Sequence, residues 1–580
     1  MRETQTVDVV ISGLGPTGLT LAHLLGRRGV SVLVLEREPE FYGNARAVYT
    51  DDECMRIFQS FDMADELAKD MLQDLVVQFL LPDGRGLNQM YQRERPYGWP
   101  ANRFFYQPFL ENSLADALAR YPQVAVRRGR EVTRFAQDCS GVTVYHTATE
   151  GGRFNCAPAE ADTTAPNPAR EEAVRASYLV GCDGGRSAVR GQLGVNMTGK
   201  SYPNPWIVVD IKEKVGEDCL RHLPYFSFIC DPDCPTVSCR QPQGHHRFEF
   251  MLMPGQTREY MEDPATVRQF LARHVDVDKV EVLRSLVYTF NALVAERWRD
   301  RRVFLAGDAA HMTPQFVGQG MNAGVRDAYN LAWKLAAVLQ AVASDTLLDT
   351  YQSERAPHAR AMIDMSIYMK NYVSVSNPLL SALRNGVTRT LGAMPGVRDY
   401  LTGYGFKPRP RYRPGEYFGL PRRRRCSREG EQIPQPRLLS RDGRYLLLDD
   451  VTGEGFSLLG FGVDPRATLA PAEQATLERL DARYLTIYPL GGRPQGLDAA
   501  RGNPGDLLEL EDFYEGLPAW LRRSGAGAGH VAILRPDKFV YALVNTDELP
   551  AAVRRLVAEL GMGAASELLI ARPGRSEAGA

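Results

Sequence analysis

The feature that most constrains this chain lies at its start. Residues 7–11, VDVVI, are a short apolar run of the kind that makes a buried strand. Gly13, Gly15 and Gly18 follow at the spacing G-x-G-x-x-G, and a helix is expected after them. At such a turn the first glycine permits a tight bend. The second lets the backbone approach a pyrophosphate, and the third lets the helix pack on the strand. The helix N-terminus then offers N–H groups to the anion. Val32–Leu35 reads as a second strand. Glu36 ends it 18 residues beyond Gly18, where an acid accepts from a ribose hydroxyl. Strand, turn, helix and acid together point to an α/β fold that binds a dinucleotide. The alternative is a glycine-rich turn in an unrelated α/β protein.

NAD and FAD share that fingerprint, and two later motifs separate them. Residues 178–190, YLVGCDGGRSAVR, are an apolar strand running into Asp183-Gly184. Residues 305–335 put Asp308 at the end of an apolar run. A loop with Pro314, Gly318 and Gly320 follows, and then a helix opening near Met321 and Asn322. The N-terminal turn and this loop can hold both ends of one long phosphorylated cofactor. With the three motifs in this order, the chain resembles the class A flavoprotein aromatic hydroxylases, the group of p-hydroxybenzoate hydroxylase. Five phrases are most similar to the 3-(3-hydroxyphenyl)propionate hydroxylases within it: ARAVYTDDE (45–53), YGWPANRFFYQP (97–108), PNPWIVVDI (203–211), RFEFMLMPGQT (247–257) and GDAAHMTPQFVGQG (307–320). The resemblance runs from about residue 5 into the C-terminal region.

The resemblance implies an α/β protein with three parts. A Rossmann-like FAD-binding domain would be assembled from 1–83, 100–195 and 291–405. An antiparallel-sheet substrate domain would use 84–99 and 196–290. A Pro/Arg-rich linker (406–430) would lead to a thioredoxin-like domain (431–580). It implies a monooxygenase that takes NADPH or NADH and O₂ and hydroxylates a phenol, 3-(3-hydroxyphenyl)propionate-like, through a flavin C4a-hydroperoxide. Such chemistry needs a site closed to water and a phenol held as a hydrogen-bonded phenolate. Only one dinucleotide fingerprint is present, and the resemblance implies that NADPH binds transiently in a groove. By the same resemblance, Gly13, Gly15, Pro16, Thr17 and Gly18 cradle the FAD pyrophosphate, and Glu36 with Arg37 binds the adenosine end. Arg46 sits beside the flavin on a gating loop, and Gln107 touches the flavin from a helix start. Asp183 lies near the pyrophosphate, and Asp308 accepts from a ribityl hydroxyl. Pro314, Gly318, Gly320, Met321 and Asn322 wrap the isoalloxazine. His311 is expected to be structural.

On the substrate side, Arg247 is expected to point from the sheet toward the flavin. Arg240, by position, could pair with a substrate carboxylate. The phenylpropionate hydroxylases have a small residue there as we align them, which separates this chain from them. Tyr225 could hydrogen-bond a phenolate, and His222, His245 and His246 are possible bases. Phe226, Phe228, Phe248 and Phe250 read as core.

Length and composition agree with this reading. A chain of 580 residues needs several cores. A net charge of −1, from 69 basic and 70 acidic residues, gives no field for nucleic acid or an anionic membrane. With no signal-like start and no long apolar run, a cytoplasmic protein is expected, as is a homodimer. The nine cysteines read as free thiols. Cys230, Cys234 and Cys239 with His245 or His246 fit no common zinc spacing, so no metal is expected. No cysteine follows Cys426, which excludes a redox pair in the C-terminal domain. Residues 150–175 read as a surface loop, and 407–428, ending in Arg422–Arg425, as a solvated linker. A flavin-dependent halogenase would need a W-x-W-x-x-I-P segment, and none occurs. A polyketide-type hydroxylase, a flavin oxidase or reductase, and a non-catalytic flavin-binding protein are the other readings.

Overall fold

The computed structural model describes residues 5–41, 43, 45–149, 171–422, 426–494 and 507–562. Most of the expected loop 150–175, Cys156 and Arg423–Arg425 therefore lie outside the described residues. The chain divides into two compact units. One holds Met1–Arg95, Trp99–Tyr329 and His358–Arg409, the other Pro96–Gly98, Asn330–Pro357 and Pro410–Ala580.

The first unit is built on two large sheets. In one, the strands Val303–Leu305, Glu172–Gly181, Gln5–Ser12, Val32–Glu36 and Val124–Arg128 run parallel in that order. Gln5–Ser12 is central, and its residues 9–12 are buried on both sides, as a near-continuous apolar run requires. Strand Glu172–Gly181 begins inside the stretch expected to be loop; its outer edge pairs antiparallel with Val142–Ala148. The second sheet runs in the order His311–Met312, Val280–Ala295, Met197–Glu213, His245–Met251, Thr236–Arg240, Phe226–Ile229, Val77–Leu80, Gly86–Met90. Strand Val77–Leu80 pairs parallel with Phe226–Ile229, so this sheet takes in residues before 84. Residues 330–357 likewise group with the C-terminal unit rather than with the rest of 291–405.

Period-two alternation gives the second sheet two different faces. Ile207, Val209, Phe248 and Phe250 pack on one side with Phe270 and Leu271 of the helix Pro264–Leu271. Trp206, Phe226, Phe228, Val237, Cys239 and Phe290 lie on the other, together with Phe316 of the 314–318 loop. The short strand His311–Met312 pairs with Val280–Ala295, and so ties the Asp308 segment to the second sheet.

The C-terminal unit carries a seven-stranded sheet. Leu508–Asp512, Arg483–Pro489 and Ser457–Phe461 are parallel, and the hairpin His530–Leu534/Val540–Asn545 continues it antiparallel. Leu477 and the helix Leu549–Leu560 cover one face, and Trp520 and Leu521 the other. Within this unit, Arg535 is wholly buried between Glu354, at 2.8 Å, and Asp537, at 2.6 Å. The segment expected to be a solvated linker is packed instead: Tyr412, Tyr417 and Phe418 are buried, and Tyr412 stacks on Phe539 at 4.1 Å. Its aromatic residues bury enough apolar surface to outweigh the Pro/Arg-rich composition around them.

Candidate active site

The three glycines of the first turn do three different things. Gly13 has φ +105°, and a Cβ there would lie 2.4 Å from the Cys182 carbonyl oxygen. A Cβ on Gly18 would lie 2.1 Å from the Gly13 carbonyl oxygen. Both are therefore demanded by internal packing. A Cβ on Gly15 would meet nothing within 4 Å. Gly15 is the N-cap of the helix Pro16–Arg27 and makes no side-chain cap, so that end keeps its N–H groups for an anion. Thr17 turns its side chain inward: Cβ atoms on Gly307 and Gly324 would fall 2.6 and 2.1 Å from its hydroxyl. Thr17 thus packs the first helix against the Asp308 turn, and what it can offer a pyrophosphate is backbone. Glu36 lies beside the turn and accepts from Leu14 N at 2.7 Å and Glu38 N at 2.9 Å. Arg37 pairs with Glu38 at 3.3 Å.

Asp183 follows the strand that lies against Gly13. Its Oδ2 accepts from Val189 N at 3.1 Å, and burial pushes its carboxyl above the usual range. Asp308 is solvent-accessible yet crowded by protein, as at the bottom of a cleft. Desolvation raises its carboxyl, while the charges of His311 and Arg46 pull it down. A Cβ on Gly320 would lie 4.0 Å from Asp308 Oδ1, so this acid sits at the start of the helix Gln319–Leu339. Its turn is fixed from behind. Asp327 Oδ2 accepts from Gly307 N at 3.1 Å and lies 2.6 Å from His311 Nε2, which makes His311 structural.

The 314–322 loop is shaped by bonds to its own neighbourhood. Ser366 donates to the Pro314 carbonyl at 2.5 Å, and Gly318 turns left-handed at φ +60° against the Tyr49 ring. Asn322 is wholly buried. It donates to the Gly318 carbonyl at 2.9 Å and accepts from the Thr50 hydroxyl at 3.0 Å, so its side chain holds the loop's shape. Gln319 and Arg326, one turn apart and more, reach Asp51. Arg326 also pairs with Glu53 at 2.8 Å, and Lys407 enters the same pocket 3.1 Å from Asp51. Asp51, Asp52 and Glu53 are the one group among the described residues close enough to share a metal, and these two cations already face it.

The loop 45–47 is clamped from two sides. Gln107 Oε1 accepts from Arg46 N at 2.7 Å and Ala47 N at 2.6 Å, and its amide nitrogen donates to Glu111 at 2.7 Å. Gln107 thus spends its side chain on this loop. From the sheet, Arg247 donates to the Arg46 carbonyl at 2.7 Å and to the Ala45 carbonyl; Arg284 donates to the Ala45 carbonyl at 2.7 Å. Asp210 lies between the two, 2.7 Å from Arg247 Nε and 2.8 Å from Arg284 Nη2. Asp210 is in register with Arg247 on one neighbouring strand and Arg284 on the other, so all three share a face. The Arg46 backbone is held while its exposed side chain stays near Asp308.

That register corrects two expectations. Arg240 pairs with His246, and Cys239 pairs with Arg247. Arg240 therefore lies on the face opposite Arg247, with its guanidinium 5.3 Å from the Tyr225 ring. Tyr225 also lies off the Arg247 face, because Phe226, its neighbour, is opposite Cys239. Neither residue faces the loop 45–47 or the loop 314–318. His246 shares their face, is bonded to Ser238 at 2.9 Å, and is pushed down to about 3 by burial, so it stays neutral. His222 is exposed and lies 2.9 Å from the His274 carbonyl. His245 is on the Arg247 face and stacks on Tyr106 at 4.0 Å. Sequence reasoning missed Asp210, Arg284 and Glu249. Glu249 is on the Arg247 face, accepts from Gln315 of the 314–318 loop at 2.9 Å, and is raised by burial. Strand alternation alone could have paired Arg247 with Glu249, but nothing in the sequence gives the cross-strand register.

Known proteins are similar to this chain in sequence and fold. The model of a family described as FAD binding domain matches residues 6–366, and one described as HcaD C-terminal domain matches 430–559. The 3-(3-hydroxy-phenyl)propionate/3-hydroxycinnamic acid hydroxylase of Klebsiella pneumoniae (strain 342) is 36% identical over 556 residues, 96% of this chain and 95% of that protein. Its namesake in Escherichia coli (strain K12) is 36% identical over 555 residues, 95% and 94%. The flavin-dependent monooxygenase PieE, solved with FAD and substrate, superposes with TM-score 0.75 at 23% identity, over 96% of this chain and 99% of that one. Aklavinone-11 hydroxylase with FAD and aklavinone gives TM-score 0.73 at 24%, over 96% and 100%. These last two bear on the fold alone. The chain belongs to the FAD-binding family of flavin-dependent aromatic hydroxylases, monooxygenases that use FAD as cofactor.

Proposed function

We propose that this enzyme hydroxylates a phenol carrying a short carboxylated side chain, of the 3-(3-hydroxyphenyl)propionate or 3-hydroxycinnamate class, with NADPH or NADH and O₂ as co-substrates. What carries the reading is the 36% identity to hydroxylases of that name along nearly the whole chain, substrate sheet included. The residues fit the cofactor: an uncapped helix start beside an unobstructed glycine, and acids at both ends of the cradle. In this reading the backbone of 15–18 binds the pyrophosphate, with Asp183 behind it. Glu36 and Arg37 bind the adenosine end, and Asp308 the ribityl chain. The loop from Pro314 to Asn322 lines the flavin ring. FAD, once reduced by the nicotinamide, supplies the oxygen-transferring chemistry.

The chain's own residues do the rest. Arg247, Arg284 and Gln107 hold the loop 45–47 so that Arg46 stays at the flavin side. Trp206, Phe290 and Phe316, with ring centroids 4.9 to 6.3 Å apart, keep water from the face where a phenol would lie. Asp210 is taken by two guanidinium groups. Glu249 is thus the carboxyl on that face able to exchange a proton with a phenol, and burial has already raised its affinity for one. The C-terminal unit reads as thioredoxin-like. Three parallel strands, an antiparallel hairpin and helices on both faces support this, and with Cys426 as its single cysteine it has no redox pair and serves packing.

The test is nicotinamide oxidation by the FAD-loaded enzyme over a phenol panel, with H₂O₂ followed in parallel. The panel contains 3-(3-hydroxyphenyl)propionate, 3-hydroxycinnamate, hydroxybenzoates and a polycyclic phenol. The first two are expected to speed oxidation, gain one oxygen and release little H₂O₂. Preference for the polycyclic compound would replace the substrate class and leave the enzyme class standing. Glu249→Gln is expected to lower hydroxylation roughly 100-fold at unchanged FAD content. Unaltered product formation in that variant removes the proton-exchange role.

A further inference from the structure

We propose that the outer face of the helix Pro378–Gly392 is the seam at which two copies of this chain pair, and this gives the expected homodimer a location. Leu379, Leu380, Leu383, Val387, Leu391 and Met394 are each between 40% and 81% exposed. A folded monomer scatters exposed apolar side chains singly, whereas here six fall within 16 residues of one helix and its end. Residues 380, 383, 387 and 394 keep the three- and four-residue spacing that lines side chains into one stripe. The opposite side of the helix is anchored inward. Ser381 is buried, and Arg384 donates to the Tyr372 carbonyl at 2.9 Å and the Cys230 carbonyl at 3.1 Å. The stripe is therefore the outside by construction.

Gly386 adds an independent observation. A glycine inside a helix costs about 1 kcal/mol relative to alanine. A Cβ at Gly386 would meet nothing within 4 Å, so no neighbour among the described residues requires it. Close approach of a second helix would. Gly386 stands near the middle of Pro378–Gly392, where two antiparallel copies related by a two-fold axis would cross. Arg389 is the one exposed charged residue from 378 to 397, so like charges do not meet at the crossing. The six side chains offer on the order of 700 Å² per copy, and two copies together reach the size of a standard stable interface.

The experiment is sedimentation velocity of the FAD-loaded enzyme. Wild type is expected to sediment as two chains. Leu383→Glu should sediment as one chain, with FAD content and nicotinamide oxidation per chain within twofold of wild type. Gly386→Leu, which favours the helix but fills the crossing, should also sediment as one chain and serves if Leu383→Glu does not fold. A single-chain wild type overturns the proposal, as does a pair that persists in both variants. A single-chain wild type that pairs once residues 563–580 are removed assigns the face to the chain's own tail, and overturns it as well.

Discussion

At the scale of single residues, the site rests on charges whose roles depend on which way each side chain faces. Asp308 is accessible but crowded, so it can accept a hydroxyl hydrogen bond away from bulk water. Asp308→Ala is expected to weaken FAD binding by about 2 kcal/mol, roughly thirtyfold in Kd. The flavin-to-protein absorbance ratio after dialysis reads this directly, and full occupancy in the variant would remove the ribityl role. Arg240 and Tyr225 carry the opposite expectation. Both lie on the far face of the sheet from Arg247. Tyr225→Phe and Arg240→Ala should therefore leave KM for carboxylated phenols within about twofold, as surface substitutions do. A selective rise in KM would return them to the substrate site.

At the scale of elements, the first strand, turn and helix separate folding from binding within six residues. Gly18 is glycine because the Gly13 carbonyl would collide with a side chain, and Gly15 faces open space. Gly15→Ala is expected to melt like wild type without cofactor but to bind FAD at least tenfold more weakly. Gly18→Ala should melt lower even without cofactor. Equal cofactor-free melting of the two variants would contradict this division. The second sheet shows the same economy of position. A shift of one residue in register would send Arg247, Asp210 and Glu249 to the face now packed on Phe270, which explains why burial on both faces fixes the register so firmly.

At the scale of the molecule, distant segments of the first unit meet in one buried ionic cluster. Asp51, Asp52 and Glu53 come from the N-terminal part, Arg326 from the helix after the Asp308 motif, and Lys407 from beyond residue 400. Three neighbouring acids repel one another, and two bases face them. Asp51 is held low by Arg326 and Lys407, while burial together with its acidic neighbours pushes Asp52 up to about 7. The folded form of Asp52 thus binds its proton more tightly than the unfolded chain does. Its contribution is complete below the ordinary carboxylate pKa near 4 and fades as pH rises toward 7. Asp52→Asn, which keeps the acceptor without the charge, should therefore melt about 2 °C or more above wild type at pH 8, and the difference should shrink as pH falls and vanish at about pH 4. A difference independent of pH would show that Asp52 stays ionised.

The sequence by itself determined the cofactor end of this protein. Gly13, Gly15, Gly18 and Glu36 are local signals, read from a strand, a turn and a spacing, while the roles of Asp183 and Asp308 are what the family resemblance implies; local geometry needs only neighbouring residues. It also determined that an antiparallel sheet follows, because alternation is a period-two property of the chain. Only the tertiary structure decided which face of that sheet Arg247 shares and with whom. Arg240 is seven residues from Arg247, Asp210 is 37 away and Arg284 is 37 away on the other side; the two distant residues join it and the near one does not. Cross-strand register is set by packing of both faces at once, and no window of sequence contains that information. The same holds for Lys407 and for Tyr412 to Phe418, where a Pro/Arg-rich composition reads as solvated until the partners that bury it are in place.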